Sequence, residues 1–254
     1  MGSSERRFEG KVTLVTGGAS GIGRATCIRL AEEGAQVFAT DVNSAGLAET
    51  EAVVKDAGGA IQAGIFDVAL RASCFESVQA AVDAFGRLDV LANVAGIVRF
   101  AHTHEMSEED WNITLAVNLS GPFFMSQAAI PHLLETEGNI VNIASNAGLM
   151  GQAYTAAYCA TKAGIANLTR ALAMEYMKQP IRINAIAPAG TKTAIATGVD
   201  FPADIDMDLM KRYSGMRGLS EPADIAAAIA YIASDDAKRV HGSIFSIDGG
   251  VTAG

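Results

Sequence analysis

Three residues able to move a proton lie within one short stretch of the chain, residues 145–162. Tyr158 and Lys162 are four positions apart, so on a helix their side chains lie on the same face. A phenol is a weak acid with a reference pKa of about 10, and a nearby ammonium group favours its phenolate form. Ser145 follows an apolar, strand-like segment, residues 139–144, which places its hydroxyl at the carboxyl end of a sheet. This stretch predicts a general acid/base pair, although the same Tyr–Lys spacing also occurs as an ordinary surface pair.

A glycine-rich turn near the start of the chain has the composition of an anion-binding loop. Residues 11–16 are rich in β-branched side chains and predict a buried strand. Glycines follow at 17, 18, 21 and 23, and a helical pattern then runs from Arg24 to Glu33. At such a junction, backbone N–H groups and the positive end of the helix face an anion. The spacing differs from G-x-G-x-x-G, so a plain tight connection between strand and helix is the alternative.

An acid ends the second predicted strand, residues 35–41. Asp41 follows the glycines by roughly 20 residues, where a carboxylate can accept hydrogen bonds from the ribose of an adenine nucleotide. The alternative role is a helix N-cap. The 2′-phosphate of NADP would repel this carboxylate, and Arg24 is the only nearby cation, so Asp41 favours NAD.

The order of the remaining elements predicts the fold. Strand patterns at 61–66, 88–92, 139–144, 181–186 and 243–247 are separated by helical patterns, including 45–57, 73–85, 158–177 and 222–234. This alternation predicts an α/β fold: a single-domain, doubly wound parallel sheet (Rossmann-like) of about seven strands with helices on both faces. We expect residues 1–7 to form a flexible tail, residues 8–254 the domain, and residues from about 189 to 218 a lid.

Composition narrows the class of protein. The chain has 254 residues, half of them hydrophobic, and a net charge of −9, which predicts one sizeable core and argues against nucleic acid or an anionic membrane surface as a partner. Three scattered cysteines and a polar start without a secretory leader predict a reducing, cytoplasmic location. Residues 111–134 contain no Asp, Glu, Lys or Arg, but their prolines and polar residues favour a buried helix or a subunit interface over a membrane span.

Two smaller features lie in the middle of the chain. Pro122 follows Asn118 by four residues and has no N–H, so it either frees the Asn118 carbonyl for another partner or only bends the helix. His102 and His104 have no third ligand near them in the sequence, and we therefore expect no metal site.

Taken together, these motifs resemble the short-chain dehydrogenase/reductase family, and in particular its 3-oxoacyl-carrier-protein reductase-like branch. The resemblance covers residues 8–251 and rests on motifs in the family's order: Thr16-Gly17-x-x-x-Gly21-x-Gly23, Asp67, Asn93-x-Ala95-Gly96, Asn118, Ser145, Tyr158-x-x-x-Lys162, Pro188, Thr193 and Asp248-Gly249-Gly250. One departure is Ala189, where members of the family often have glycine. Because Ala189 lies where the chain enters the predicted lid, this departure affects the expected path of the backbone there.

The resemblance implies a catalytic set and a cofactor. In the set Asn118, Ser145, Tyr158 and Lys162, the tyrosine exchanges a proton with a substrate oxygen held by the serine. The lysine binds the nicotinamide ribose and lowers the pKa of the tyrosine, and the asparagine holds a water. The implied cofactor is NAD, and besides Tyr158 and Lys162 its implied binding residues are Gly17, Ser20, Gly21, Ile22, Gly23, Asp41, Asp67, Val68, Asn93, Ala95, Gly96, Pro188, Thr191 and Thr193. A homotetramer is implied as well.

The leading interpretation is an NAD(H)-dependent oxidoreductase that interconverts a secondary alcohol and a ketone in a small-molecule substrate. The first alternative is a 3-oxoacyl-[acyl-carrier-protein] reductase. Carrier proteins are acidic, and the predicted lid bears aspartates at 200, 204, 206 and 208, only partly offset by lysines and arginines, which favours a small-molecule or CoA-type substrate. The second alternative is a non-catalytic nucleotide-binding scaffold on the same fold, which the intact catalytic set disfavours.

Overall fold

Short apolar runs, each followed by a turn and usually by a helix, form a parallel sheet of seven strands in the order β3-β2-β1-β4-β5-β6-β7. The computed structural model describes residues 6–193, 201–211 and 217–253. The strands are β1 (Val12–Thr16), β2 (Gln36–Asp41), β3 (Ala60–Ile65), β4 (Val90–Asn93), β5 (Asn139–Ile143), β6 (Arg182–Pro188) and β7 (Ile244–Ile247). The helices are α1 (Gly21–Glu32), α2 (Ser44–Asp56), α3 (Arg71–Phe85), α4 (Glu108–Leu115), α5 (Gly121–Glu135), α6 (Ala156–Glu175), α7 (Met207–Met210) and α8 (Pro222–Ala233). The predicted α/β fold is confirmed.

The core has two halves, one on each face of the sheet. Neighbouring residues of a strand point to opposite faces, so Val15 packs with Leu30 and Ile229 from α1 and α8, whereas Leu14 packs with the opposite helices. All five residues of β1 and of β5 are buried. This double burial explains why the central strands are continuous apolar runs rather than alternating ones.

A π-helical turn, Ala116–Ser120, joins α4 to α5 immediately before Pro122. A proline cannot donate to the carbonyl four residues earlier, and one extra residue in the turn is a common way to accommodate such a break. Among the described residues, the continuous helix Glu108–Glu135 is long and apolar enough to cross a membrane by length and composition, but half of its most apolar window is buried inside the fold. This burial agrees with the expected buried helix.

The predicted tail and the predicted lid lie partly outside the described residues. Residues 1–5 of the predicted tail lie outside this part of the chain. Arg7, at the end of the predicted tail, forms ion pairs with Glu33 (2.7 Å) and Asp236 (3.1 Å) of the domain. Of the predicted lid, residues 194–200 and 212–216, which include Asp200 and Arg212, lie outside the described part as well. The lid and the domain limits therefore stay predictions.

A chain of buried amides fixes the carboxyl ends of the two central strands against α6. The Asn93 side-chain NH2 donates to Asn142 Oδ1 (2.9 Å), and Asn142 Nδ2 donates to the Thr169 hydroxyl (3.0 Å), which donates to the Ile165 carbonyl (2.8 Å). Asn142 is 1% exposed. A buried amide of this kind stabilises the fold only while its partners are present.

We therefore expect Asn142→Leu to lower the free energy of unfolding by about 1–3 kcal/mol, because the buried Asn93 amide loses its shortest hydrogen bond and the Thr169 hydroxyl loses its donor. Chemical denaturation monitored by circular dichroism measures the change. Asn112→Leu, at an exposed position on α4, is the control and should change stability by less than about 0.5 kcal/mol. Equal stability of the two variants would contradict the structural role of the amide chain.

Candidate active site

A cavity of about 620 Å³ opens at the carboxyl ends of the strands, where the glycine turn and the stretch 145–162 meet. It lies beside the junction of β1 and β4, where the direction of chain winding reverses and open α/β sheets bind ligands. The Thr16 hydroxyl accepts hydrogen bonds from the N–H groups of Val94 (3.0 Å) and Ala95 (3.1 Å). These bonds hold the loops after β1 and β4 together at the cavity wall.

The glycine turn is compact because the start of α1 lies directly against it. A Cβ on Gly23 would lie 2.0 Å from the Gly17 carbonyl oxygen, and Gly17 itself has a φ of +72°, which favours glycine. The helix begins at Gly21, and its first turn has no acidic residue. The N-terminal N–H groups and the positive end of α1 therefore border the cavity without a competing carboxylate in that turn.

Asp41 lines the cavity and is held by the backbone. Its carboxylate accepts hydrogen bonds from the N–H groups of Ala19 (3.2 Å) and Asn43 (3.0 Å). The N-cap of α2 is Asn43, whose side chain accepts from Gly46 N–H, so the alternative role of Asp41 as that cap is excluded.

The nearby cation, Arg24, is bound elsewhere. Its guanidinium group donates to the carbonyls of Ala19 (2.6 Å) and Gly46 (3.2 Å), to the Thr50 hydroxyl (3.0 Å) and to the Glu49 carboxylate (2.7 Å). These contacts use its Nε and Nη2 atoms and pair its charge with Glu49, so little of that charge is left to offset a further negative charge beside Asp41.

Ser145 and Tyr158 are brought together by a tight turn after β5. The Ser145 hydroxyl caps the 3₁₀ turn Asn146–Gly148 by accepting from Ala147 N–H (3.1 Å). A Cβ on Gly148 would lie 2.5 Å from the Lys162 carbonyl, so only glycine lets this turn approach α6 so closely. Tyr158 lies in the first turn of α6 and is hydrogen-bonded to Ser145.

Burial dominates the electrostatics of the Tyr158–Lys162 pair. It raises the pKa of the Tyr158 phenol above its ordinary value, against the opposing effect of the Ser145 hydrogen bond. It also lowers the pKa of Lys162 to about 8. The Lys162 ammonium donates to the Ile143 carbonyl (2.7 Å) and lies 5.6 Å from the centre of the Tyr158 ring. Burial therefore sets the direction of the shift in the pKa of Tyr158 in this structure, and the lowering of that pKa that the resemblance implies for Lys162 stays a prediction.

Two residues of the predicted site do not line the cavity. The Asn93 side chain lies between the strands, in the amide chain with Asn142. The Asn118 side chain is buried and bonded to the backbone of Ile97 in both directions, accepting from its N–H (2.8 Å) and donating to its carbonyl (2.8 Å). Asn118 thus fastens the loop that follows β4. The other predicted residues border the cavity: Gly17, Ser20, Gly21, Ile22, Gly23, Asp41, Asp67, Val68, Ala95, Gly96, Ser145, Tyr158, Lys162, Pro188, Thr191 and Thr193.

Sequence reasoning did not identify most of the apolar wall of the cavity. Val98 and Phe100 from the loop after β4 contribute to it, together with Leu219 near the start of α8. Phe201 and Met210, expected from the predicted lid, also line it, and the Phe201 and Phe100 rings pack edge to face with centres 4.7 Å apart. Loop residues of this kind have no periodic pattern, so nothing in the sequence distinguishes them from surface residues.

The two histidines that raised the question of a metal have other contacts. His102 Nε2 lies 2.9 Å from the Asp204 carboxylate, and its ring packs against Tyr154 and His104. Within the described ranges, no group of three or more His, Cys, Asp or Glu side chains is placed to hold a metal ion.

Comparison with known proteins gives consistent matches along nearly the whole chain. Residues 17–252 match the family model described as enoyl-(acyl carrier protein) reductase. The 2,5-dichloro-2,5-cyclohexadiene-1,4-diol dehydrogenase of Sphingobium indicum is 40% identical over 252 residues, covering 98% of each chain. The 3-oxoacyl-[acyl-carrier-protein] reductase of Thermotoga maritima is 37% identical over 249 residues, covering 96% of this chain and 99% of the relative.

A solved structure agrees with the sequence matches. The crystal structure of 3-ketoacyl-(acyl-carrier-protein) reductase from Brucella melitensis, complexed with NADH, superposes with a TM-score of 0.87 at 31% identity, covering 96% of this chain and 99% of the other. The family resemblance and its reductase-like branch are thereby confirmed: the chain belongs to the short-chain dehydrogenase/reductase family of oxidoreductases.

Proposed function

We propose that this protein is an NAD(H)-dependent oxidoreductase that interconverts a secondary alcohol and a ketone, with Tyr158 as the general acid/base. The observation that carries the proposal is the convergence of Ser145, Tyr158 and Lys162 with the glycine turn on one cavity. A non-catalytic scaffold would need the cavity and the turn, but it would have no need of a buried lysine beside a half-buried tyrosine.

The cavity fits a nicotinamide dinucleotide by the chemistry of its lining. The N-terminus of α1 and the glycine turn suit the pyrophosphate, and the Asp41 carboxylate suits the adenosine ribose hydroxyls. Asp67 and Val68 would border the adenine, and Ala95 and Gly96 the adjoining ribose. When bound, the cofactor supplies the hydride. The NADH complex of the Brucella melitensis relative supports this choice of cofactor class.

The remaining groups would hold the nicotinamide end. Lys162 has donors beyond the one used by Ile143 and would bind the nicotinamide ribose hydroxyls. Pro188, Thr191 and Thr193, at and after the end of β6, would position the carboxamide.

Tyr158 would give its proton to the substrate oxygen in reduction and recover it in oxidation. Its raised pKa keeps the phenol protonated at neutral pH, which suits a donor to a ketone oxygen. The Ser145 hydroxyl would hold that oxygen. The backbone carbonyl of Asn118 would hold the implied water, because Pro122 has no N–H to donate to that carbonyl. The Asn118 side chain keeps Ile97 in place through two hydrogen bonds.

The charges around the cavity favour a small molecule over an acidic carrier protein. Lys192 is paired with Glu221 and Lys211 with Asp208 (2.6 Å), so neither presents an unpaired positive charge. Asp204 and Asp206 lie on the same segment as Phe201. The diol dehydrogenase relative supports the small-molecule class, whereas the Thermotoga maritima relative keeps the carrier-linked reductase as the alternative. A cytoplasmic homotetramer remains a prediction.

Replacing Tyr158 with phenylalanine should reduce ketone turnover by ~10²–10⁴-fold, because it removes only the hydroxyl that transfers the proton. NADH binding, followed by fluorescence, should change little. Tyr231→Phe, on the exposed side of α8, is the control and should keep full activity. Activity of Tyr158→Phe within a few-fold of wild type would contradict the assignment.

Asp41 should determine the choice between NADH and NADPH. A 2′-phosphate would bring ≈ −1.5 to −2 charges close to this carboxylate, and Arg24 is already bound elsewhere. We expect kcat/KM to favour NADH by at least about tenfold, and Asp41→Ala to remove most of that preference. Asp56→Ala, at the exposed end of α2, makes the same change in net charge and should leave the preference intact. Equal or better use of NADPH by the wild type would refute this role.

Lys162 should make stability depend on pH in a defined window. The buried amine has a pKa of about 8 when folded, against 10.5 for the ordinary group. Above pH 8 the folded protein loses this proton before the unfolded chain does, so stability rises towards pH 10.5 by up to about 3 kcal/mol. Below pH 8 both states are protonated and the full cost of burial remains.

The difference in unfolding free energy between wild type and Lys162→Met, measured by denaturation from pH 7 to 10, should therefore increase with pH. The lost bond to Ile143 adds an offset that does not vary with pH. Lys238→Met, at an exposed position, is the control and should show a difference that is flat across this range. A flat difference for Lys162→Met would show that burial does not shift this amine.

A further inference from the structure

One segment of the chain, residues 201–211, supplies part of the apolar wall of the cavity. Phe201 and Met210 both line the cavity, and the Phe201 ring packs edge to face on Phe100, with the ring centres 4.7 Å apart. The short helix α7 lies in this segment and carries Met210 as its last residue. The shape of the wall therefore depends on what holds the segment in place.

Two side-chain contacts join this segment to the loops beside it. The Asp206 N–H donates a hydrogen bond to the hydroxyl of Tyr154 (2.9 Å), which lies in the turn before α6. The Asp204 carboxylate lies 2.9 Å from Nε2 of His102, which belongs to the loop after β4. We call these four residues the clasp. None of the four borders the cavity, so the clasp can act on a ligand only through the residues that it holds.

The first contact determines where α7 begins. Oδ1 of Asp206 accepts a hydrogen bond from the Asp208 N–H (2.8 Å) and so caps the helix. Because the N–H of the same Asp206 is bound to Tyr154, a side chain outside the segment fixes the first turn of the helix. Met210 lies in that turn, and its position at the cavity follows from this contact.

The second contact lies beside the ring pair. His102 is two residues after Phe100, and Asp204 is three residues after Phe201, so the polar contact and the aromatic contact join the same two segments. The hydrogen bond with His102 lowers the pKa of the Asp204 carboxyl below its ordinary value, which favours the charged, accepting form. The pair therefore supports the Phe100–Phe201 contact at the wall.

Tyr154 has a backbone conformation that aromatic residues seldom adopt. Its φ is +62°, in the left-handed region that favours glycine and asparagine. Its carbonyl accepts a hydrogen bond from the Ala101 N–H (2.9 Å), and its ring packs edge to face with the ring of His102, with centres 5.2 Å apart. Such strain persists only where neighbouring contacts offset it. These contacts present the Tyr154 hydroxyl in a fixed direction, four residues before Tyr158.

We infer that Tyr154 is a positioning residue for the substrate, and that His102 assists it. Together they hold the segment so that Phe201 and Met210 contact the apolar part of the ketone. This inference rests on the proposed function, since the ketone must bind with its oxygen at Ser145. It makes affinity depend on the apolar size of the ketone, because only a ketone with enough apolar surface gains from a wall held in place.

Two ketones of different size test the inference in Tyr154→Phe, which removes only the hydroxyl of the clasp. With NADH, KM for 4-methylcyclohexanone should rise about three- to fivefold, while kcat changes less than about twofold, because the reacting groups are untouched. KM for acetone, which has little apolar surface, should stay within about 1.5-fold. Tyr231→Phe, on the exposed side of α8, makes the same chemical change and should alter neither KM. Equal effects on the two ketones, or an effect on kcat alone, would overturn the inference.

Variants of His102 distinguish a specific contact from general packing, and they keep the test valid if Tyr154→Phe does not fold. His102→Leu should raise KM for 4-methylcyclohexanone about two- to threefold, as expected for a partly exposed pair. His102→Gln, whose amide nitrogen can donate in place of Nε2, should return it to within about 1.5-fold of wild type. Adding Asp204→Ala to His102→Leu should change KM no further, because the two residues share one contact. Lack of rescue by glutamine, or additive effects, would overturn the inference for His102.

Hydrogen–deuterium exchange measures the clasp without any turnover. Peptides that cover residues 201–211 should exchange at least about threefold faster in Tyr154→Phe than in wild type, and Tyr231→Phe should not change them. Unchanged exchange in Tyr154→Phe would overturn the inference whether or not a ketone is reduced.

A binding measurement separates the inference from the proposed function. If the wild type reduces no ketone with NADH, the proposed function fails, and calorimetry with NAD⁺ in place of NADH still reports ketone affinity. Loss of affinity in Tyr154→Phe that is confined to 4-methylcyclohexanone supports the inference. Equal affinities of wild type and Tyr154→Phe for this ketone overturn it, even if acetone is turned over.

Discussion

The site depends on an ammonium group kept out of water. Lys162 is 4% exposed, and the described residues give its amine one hydrogen-bond acceptor, the carbonyl of the last residue of β5. Such burial is unfavourable for a charge, and the fold can maintain it only where the surrounding packing is fixed. The result is an amine whose pKa of about 8 is close to neutrality, beside a phenol whose pKa is raised by the same burial. Burial therefore shifts the pKa of both groups that exchange protons.

The packing that maintains this arrangement is polar as well as apolar. The amide chain through Asn142 joins β4, β5 and α6, the same elements that hold Ser145, Tyr158 and Lys162. Buried amides have fixed partners and directions, so they define one register where an all-apolar core would permit several. Gly148 adds a steric condition, because any side chain there would push the Ser145 turn away from α6. The relative position of Ser145 and Tyr158 therefore depends on the amide chain and on Gly148, which take no part in the proposed proton transfer.

The sequence was sufficient for the fold and for about half of the cavity lining, for two different reasons. The fold could be predicted because burial on both faces makes central strands such as β1 and β5 continuous apolar runs. The glycine turn and the Tyr158–Lys162 pair could be predicted because each is a pattern of residues close together in the sequence. For the pKa of Tyr158, spacing reveals a neighbouring charge but not the loss of water around the phenol, which raises the pKa. Asn93 and Asn118 were expected at the cavity, yet they bond to Asn142 and Ile97, partners far away in the sequence. Long-range pairing of this kind has no local pattern.

The polarity of the cavity also limits what it can recognise. Its wall beyond Ser145 is mostly aliphatic and aromatic, and such surfaces discriminate weakly between ligands of similar size. Discrimination has to come from polar groups that are buried and fixed, because an unmatched partner leaves them unpaired. Beside Ser145, the described structure fixes one such polar group, Asn146, whose side-chain oxygen accepts hydrogen bonds from Ser145 and Gln152.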